Sequence, residues 1–100
     1  MNSSKISMRT IRFTSKFKSD HKREKSGRHS KKLDALLKPI LEILVEDGTL
    51  PKNVVDHPLN GQWQDCRDCH VKPDLILIYR KPDETTLELV RLGSHSELGL

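Results

Sequence analysis

The run Asp74–Arg80, Asp-Leu-Ile-Leu-Ile-Tyr-Arg, most limits what this chain can fold into. It is nearly all apolar, and Lys72-Pro73 and Lys81-Pro82-Asp83-Glu84 bound it as turns. A short apolar run between turn signals suits the central strand of a sheet. Gln62–Val71 before it and Thr86–Leu92 after it both alternate polar and apolar residues. Three such runs joined by short turns pair antiparallel.

The first half of the chain reads differently. Arg9–Thr14 places Ile11 and Phe13 on one face of a short, half-buried strand. Thr14 or Ser15 then offers a cap for a charged surface helix over Lys16–Lys25, with Phe17 as its main apolar contact. Ser26-Gly27 breaks that helix. Ser30 is the expected cap of a second helix, Lys31–Glu46, in which Leu33, Leu36, Leu37, Ile40, Leu41 and Leu44 recur at helical spacing. Pro39 within it is expected to cause a kink. Asp47-Gly48 ends it, and Thr49–Gly61 reads as a long loop of the kind that carries function. Residues 1–7 are expected to be a flexible arm, residues 8–100 a single domain, and Gly93–Leu100 a short tail. The resulting fold class is α+β: strand, helix, helix, then a three-stranded antiparallel meander, with the helices packed on one sheet face.

The formal net charge of +4 is unevenly spread. Residues 1–32 hold eleven Lys and Arg against Asp20 and Glu24. A basic surface of this kind attracts phosphate backbones or an acidic protein. No stretch is apolar enough to span a membrane, and the N-terminus lacks the apolar core of a secretory signal, so a cytoplasmic protein is expected. Cys66 and Cys69, the two cysteines, are expected to be ordinary thiols.

Chemistry concentrates in Asp56–Asp74, which holds His57, Arg67, Asp68, His70 and Asp74. Cys66-Arg67-Asp68-Cys69-His70 matches the C-x-x-C-H pattern of haem attachment. In a strand, however, positions 66 and 69 point to opposite faces, so their thiols cannot share one haem or metal. No second C-x-x-C is present to complete a zinc site, and neither cofactor nor metal is expected. The same alternation groups Gln64, Cys66, Asp68 and His70 on one face, and Trp63, Asp65, Arg67 and Cys69 on the other, with the Trp face meeting the core at one end. His57, Asp74 and His95 can converge on His70. Arg91 ends the apolar face of Leu87 and Leu89, where a planar fork of donors suits a phosphate.

Four blocks carry a family resemblance: Asp-His-Pro-Leu-Asn-Gly-Gln-Trp at 56–63, Arg-Asp-Cys-His at 67–70, Lys-Pro-Asp-Leu-Ile-Leu-Ile-Tyr at 72–79, and Leu-Val-Arg-Leu-Gly-Ser-His-Ser-Glu-Leu at 89–98. In order and spacing they resemble the YafQ branch of the RelE/ParE toxin superfamily. The resemblance implies an endoribonuclease toxin that cleaves mRNA on the ribosome, with a cognate antitoxin as partner and DNA contacted only through the antitoxin complex. It implies His57, His70, Asp74 and His95 as the catalytic set. The family pattern has Trp directly after that Asp and Phe four residues after the last histidine; Leu75 and Gly99 stand there instead.

Cleavage of this kind needs a base for the ribose 2′-hydroxyl, an acid for the leaving oxygen and positive charge at the phosphate. Imidazole titrates near pH ~6.5, so His70 and His95 can divide acid and base roles. Asp74 would orient a histidine or favour its charged form. His57 would position substrate or shuttle a proton. Arg91, with Arg67 second, would bind phosphate.

Overall fold

The structure is a computed structural model that describes residues 8–27 and 31–100. Its elements are β1 (Thr10–Phe13), α1 (Ser15–Lys25), α2 (Leu33–Val45), β2 (His57–Pro58), β3 (Arg67–Lys72), β4 (Leu75–Arg80), β5 (Thr86–Gly93) and α3 (His95–Leu98). The expected arm at residues 1–7, the Ser30 cap and His29 lie outside the described residues.

The five strands form one sheet in the order β1-β5-β4-β3-β2. The expected meander is present: β3–β4 and β4–β5 are both antiparallel. The first strand joins it parallel to β5, and α1 and α2 provide the connection that a parallel pair requires. β4 lies at the centre, and Leu75 to Tyr79 are all buried. Leu75, Leu77 and Tyr79 face α1 and α2, in a core with Phe17, Leu33, Leu37 and Leu44. Ile76 and Ile78 face the other way, in a smaller cluster with Cys66 and Leu98.

The boundaries follow local chemistry. Thr14 caps α1, its hydroxyl accepting from the Phe17 N–H at 2.9 Å. α2 runs through Pro39 as one helix from Leu33 to Val45, and Lys32 precedes it with no side-chain cap. Where β1 ends, α1 takes over the edge of β5. Asp20 Oδ2 accepts the Leu92 N–H at 3.0 Å, and Arg23 donates to the Leu92 carbonyl at 2.9 Å. Two helical side chains thus stand where a strand's backbone would.

Three expectations need correction. The long loop contains β2, whose register sets His57 opposite Asp68 and Pro58 opposite Arg67. The strand expected from Gln62 starts at Arg67, because Gly61–Trp63 form a 3-10 turn and Asp65 adopts φ +74°. Alternation therefore does not extend back to Trp63, which packs with Cys66, Ile76 and Ile78 on the face away from α1 and α2. The expected tail carries α3, closed by Gly99 at φ +73°.

Candidate active site

The sheet face opposite α1 and α2 carries the histidines. Asp68 and His70 alternate with Arg67, Cys69 and Val71 along β3. Cys69 and Val71 pack into the helix-side core, so Asp68 and His70 look outward. Their cross-strand partners, Ile78 and Ile76, form the apolar floor on that side.

β2 delivers His57 above Asp68, with Nδ1 2.7 Å from Oδ1. That contact lacks the geometry of a directed hydrogen bond, and Oδ1 is buried without a hydrogen-bond partner. Asp68 is 3% exposed. Burial pushes its carboxyl above the usual carboxylate range, while the neighbouring histidines, His57 first, pull it down. The His57 and His70 ring centres are 6.3 Å apart, edge to face.

The turn between β3 and β4 supplies Asp74, and α3 supplies His95. Ser94 and Glu97 form a reciprocal cap at the start of α3: the Ser94 hydroxyl accepts the Glu97 N–H at 3.1 Å, and the Glu97 carboxylate accepts the Ser94 N–H at 2.8 Å. The cap fixes the turn that presents His95. Asp74 Oδ1 accepts the His95 backbone N–H at 3.0 Å and lies 2.8 Å from its ring Nδ1. The His95 and His70 rings meet edge-on at 5.3 Å. His70 therefore sits between two histidine–carboxylate pairs, His57–Asp68 and His95–Asp74.

Arg67 is placed elsewhere, and Arg91, opposite Ile78 on the histidine side of β5, is drawn to α1. Arg67 lies on the helix side of β3, donating to Asp56 at 3.2 and 3.3 Å, and Tyr79 donates to the same carboxylate at 2.7 Å. It latches the chain just before His57. Arg91 donates to Asp20 at 2.6 and 3.2 Å. An extra residue in β5 between the partners of Ile78 and Tyr79 moves Arg91 off the Leu87–Leu89 face on which strict alternation would put it. Leu75 is 1% exposed in the helix-side core, so it presents nothing to a ligand on the histidine face. The thiols divide as alternation requires, Cys66 to one cluster and Cys69 to the other. Burial pushes Cys69 up to about 12 and raises Cys66 as well, so both are thiols at neutral pH.

Asp68 is the site residue that sequence reasoning left out of its catalytic set, although it shares the His70 face. Its partner His57 was assigned to a loop, so nothing in the pattern paired them. The expectation of no metal-ligand set also needs correction. His57, Asp68 and His70 bring ligand atoms within 4.8 Å of one another. Two imidazoles and a carboxylate suit zinc or copper. A cation held there would occupy lone pairs that acid–base work requires.

The same small α+β fold is found in solved bacterial toxin structures. The E. coli DinJ–YafQ toxin–antitoxin complex contains a chain 35% identical, with a TM-score of 0.77 over 91% of this chain and 97% of that one. A metal-bound toxin from Helicobacter pylori is 42% identical, with a TM-score of 0.75 over 91% and 99%. The mRNA interferase toxin YafQ of E. coli strain K12 is 45% identical over 64 residues, which are 62% of this chain and 67% of that protein. The family described as "Bacterial toxin of type II toxin-antitoxin system, YafQ" matches residues 9–99. The chain belongs to the YafQ toxin family.

Proposed function

We propose that this protein is an endoribonuclease toxin that cleaves translated mRNA, acting on the ribosome in the cytoplasm and restrained by a cognate acidic antitoxin. The observation that carries this reading is the row of three histidines, His57, His70 and His95, held between two carboxylates on one open sheet face. A purely binding surface has no need of such a row.

In this reading the ribose 2′-oxygen attacks the adjacent phosphorus as one histidine takes its proton. The bond from phosphorus to the 5′-oxygen breaks, and a second histidine protonates that oxygen. The products are a 2′,3′-cyclic phosphate and a free 5′-hydroxyl. His70 and His95, edge-on at 5.3 Å, are the acid–base pair. Asp74 holds His95 by its Nδ1 side, which directs Nε2 to the substrate. His57, backed by the buried Asp68, positions the phosphate or relays a proton. Arg67 and Arg91 are each committed to a carboxylate, so protonated imidazole supplies the positive charge nearest the phosphorane. The basic first third of the chain meets phosphate backbone or the antitoxin. DNA is reached only through the antitoxin complex. Among the described residues no helix is long and apolar enough to cross a membrane, as fits a protein that meets translated messages.

The test is induced expression with mapping of message 5′ ends beside a His95→Ala control. New ends within translated messages, absent from the control, are expected. Growth arrest with intact messages would make this a non-catalytic binding toxin instead.

A further inference from the structure

α3 is a single turn of four residues, His95–Leu98, too short to hold its shape in water alone. Three nearby contacts seat it. Leu98 is buried with Ile76 and Ile78, Ser94 and Glu97 cap each other, and Asp74 accepts the His95 N–H. A fourth contact comes from α1, far back in the sequence. Arg23 Nε lies 3.3 Å from Glu97 Oε2, and Arg23 Nη2 donates to Glu97 Oε1 at 3.4 Å.

Arg23 is itself fixed against β5. Its Nη1 donates to the buried Asp20 at 3.0 Å and its Nη2 to the Leu92 carbonyl at 2.9 Å, while Asp20 accepts the Leu92 N–H at 3.0 Å. Both backbone groups of Leu92 are thus held by α1, and the guanidinium extends over the next residue, Gly93. Gly93 stands opposite Ile76, and Ile76 opposite His70, so a side chain at 93 would project on the histidine side. That space is taken: a Cβ there would lie 2.9 Å from Arg23 Nη2 and 2.9 Å from Glu97 Oε1. Gly93 is not among the residues of positive φ, so the close approach alone calls for glycine. Arg23 also donates to Glu24 at 3.1 and 3.2 Å. A guanidinium shared by the carboxylates of Asp20, Glu24 and Glu97 is poorly placed to bind a phosphate.

We propose that Arg23 is a positioning residue for His95: the contacts running Asp20, Arg23, Glu97, Ser94 set the pitch of α3 against β5, and with it the place of the His95 imidazole beside His70. This rests on the reading of His95 as one of the acid–base pair. Asp74 fixes how the ring is turned; Arg23 fixes the turn of chain that carries it. The Arg23 and Glu97 side chains are 42% and 41% exposed, so their pairing adds little stability. Its effect is geometric, since misplacing a reacting group by about 1 Å can cost a hundred-fold in rate.

The test uses the full chain with Arg23→Gln, Glu97→Gln and Gly93→Ala, each first shown by thermal melting to be folded. Glutamine at 97 keeps an oxygen for the Ser94 N–H, so the cap survives while the charge pairing is lost. Gly93→Ala keeps both charges and forces them apart. Each variant is expected to lower kcat on a minimal RNA about ten-fold with KM unchanged. Arg23→Gln combined with Glu97→Gln should lose no more than either alone, because both break one link. In a His95→Ala background Arg23→Gln should cost nothing further. The ring-nitrogen resonances of His95 should move in all three variants while those of His57 stay in place. Wild-type kcat, or unmoved His95 resonances, in folded Arg23→Gln would overturn the proposal, and Glu97→Gln is judged by the same readings if Arg23→Gln does not fold. So would a raised KM at unchanged kcat, which would make Arg23 a phosphate ligand, or a further loss in the His95→Ala background. If the wild-type protein cleaves no RNA, the nuclease reading fails, and the His95 resonances alone decide whether Arg23 positions the ring.

Discussion

His95 and Asp74 are joined twice through a single oxygen: Asp74 Oδ1 accepts the His95 backbone N–H at 3.0 Å and lies 2.8 Å from its ring Nδ1. One carboxylate thus fixes both the start of α3 and the orientation of the imidazole. A carboxylate at Nδ1 selects the form protonated there and leaves Nε2 as the working nitrogen. His95→Ala is expected to lower cleavage by about two to four orders of magnitude with the fold intact. Asp74→Asn should cause a smaller loss, because an amide holds the imidazole less firmly than a carboxylate does. Wild-type cleavage by folded Asp74→Asn would show that Asp74 only braces α3.

The His57, Asp68 and His70 donors give a prediction about metals. Cleavage of a minimal RNA should persist in EDTA, because imidazoles supply both acid and base. Added zinc or copper should inhibit, since a cation within reach of these three groups takes up their lone pairs. Asp68→Asn should weaken that inhibition. Loss of activity in EDTA, restored by one specific divalent ion, would overturn the acid–base reading.

Much of this was legible in the sequence, and the parts that were not share a cause. The apolar run before Arg80 marked the central strand, and alternation correctly put Cys66 and Cys69 on opposite faces. His57, His70, Asp74 and His95 could be grouped from their positions at strand ends. β2 could not be found: it is two residues long, contains Pro58, and exists only because β3 is beside it. α3 could have been found, since Ser94-His95-Ser96-Glu97 is a capping-box sequence. The Arg91 partner was not legible, because the bulge in β5 and the carboxylate of Asp20 on α1 are contacts between distant parts of the chain.

Asp20 predicts how the fold responds to acid. It is buried, which raises its pKa, but hydrogen bonds from Arg91, the Leu92 N–H and Arg23 outweigh burial and hold it below the usual carboxylate range. Folding therefore favours the charged form. The resulting stability is complete above the unfolded value near pH ~3.9 and is lost as pH falls toward the lower folded value. Asp20→Asn should cost about 3 kcal/mol at neutral pH, because it leaves Arg91 without its counter-charge. Its stability should then fall less steeply than that of wild type as pH drops below about 4. Denaturant titrations at a series of pH values decide this, and parallel acid limbs for the two proteins would refute it.

The cysteines separate the two motifs that overlap at His70. Cys69 is fully buried in the helix-side core, and its thiol is pushed up to about 12, so it has no nucleophile to offer near neutrality. Cys66 is buried among Ile76, Ile78 and Leu98. Replacing both by Ser should leave cleavage per folded molecule nearly unchanged, at a cost of roughly 1–3 kcal/mol for placing hydroxyls in apolar packing. The cost should fall mainly on Cys69→Ser, since that side chain has no access to water. A His70 substitution cannot discriminate, because His70 belongs to both the C-x-x-C-H sequence and the histidine row. His95→Ala does discriminate, because it touches only the row. Thermal melting first establishes the folded fraction of each variant, and cleavage is then compared on that basis. If the double cysteine variant is folded but inactive while His95→Ala cleaves at the wild-type rate, the chemistry belongs to the thiols and the histidine assignment is wrong.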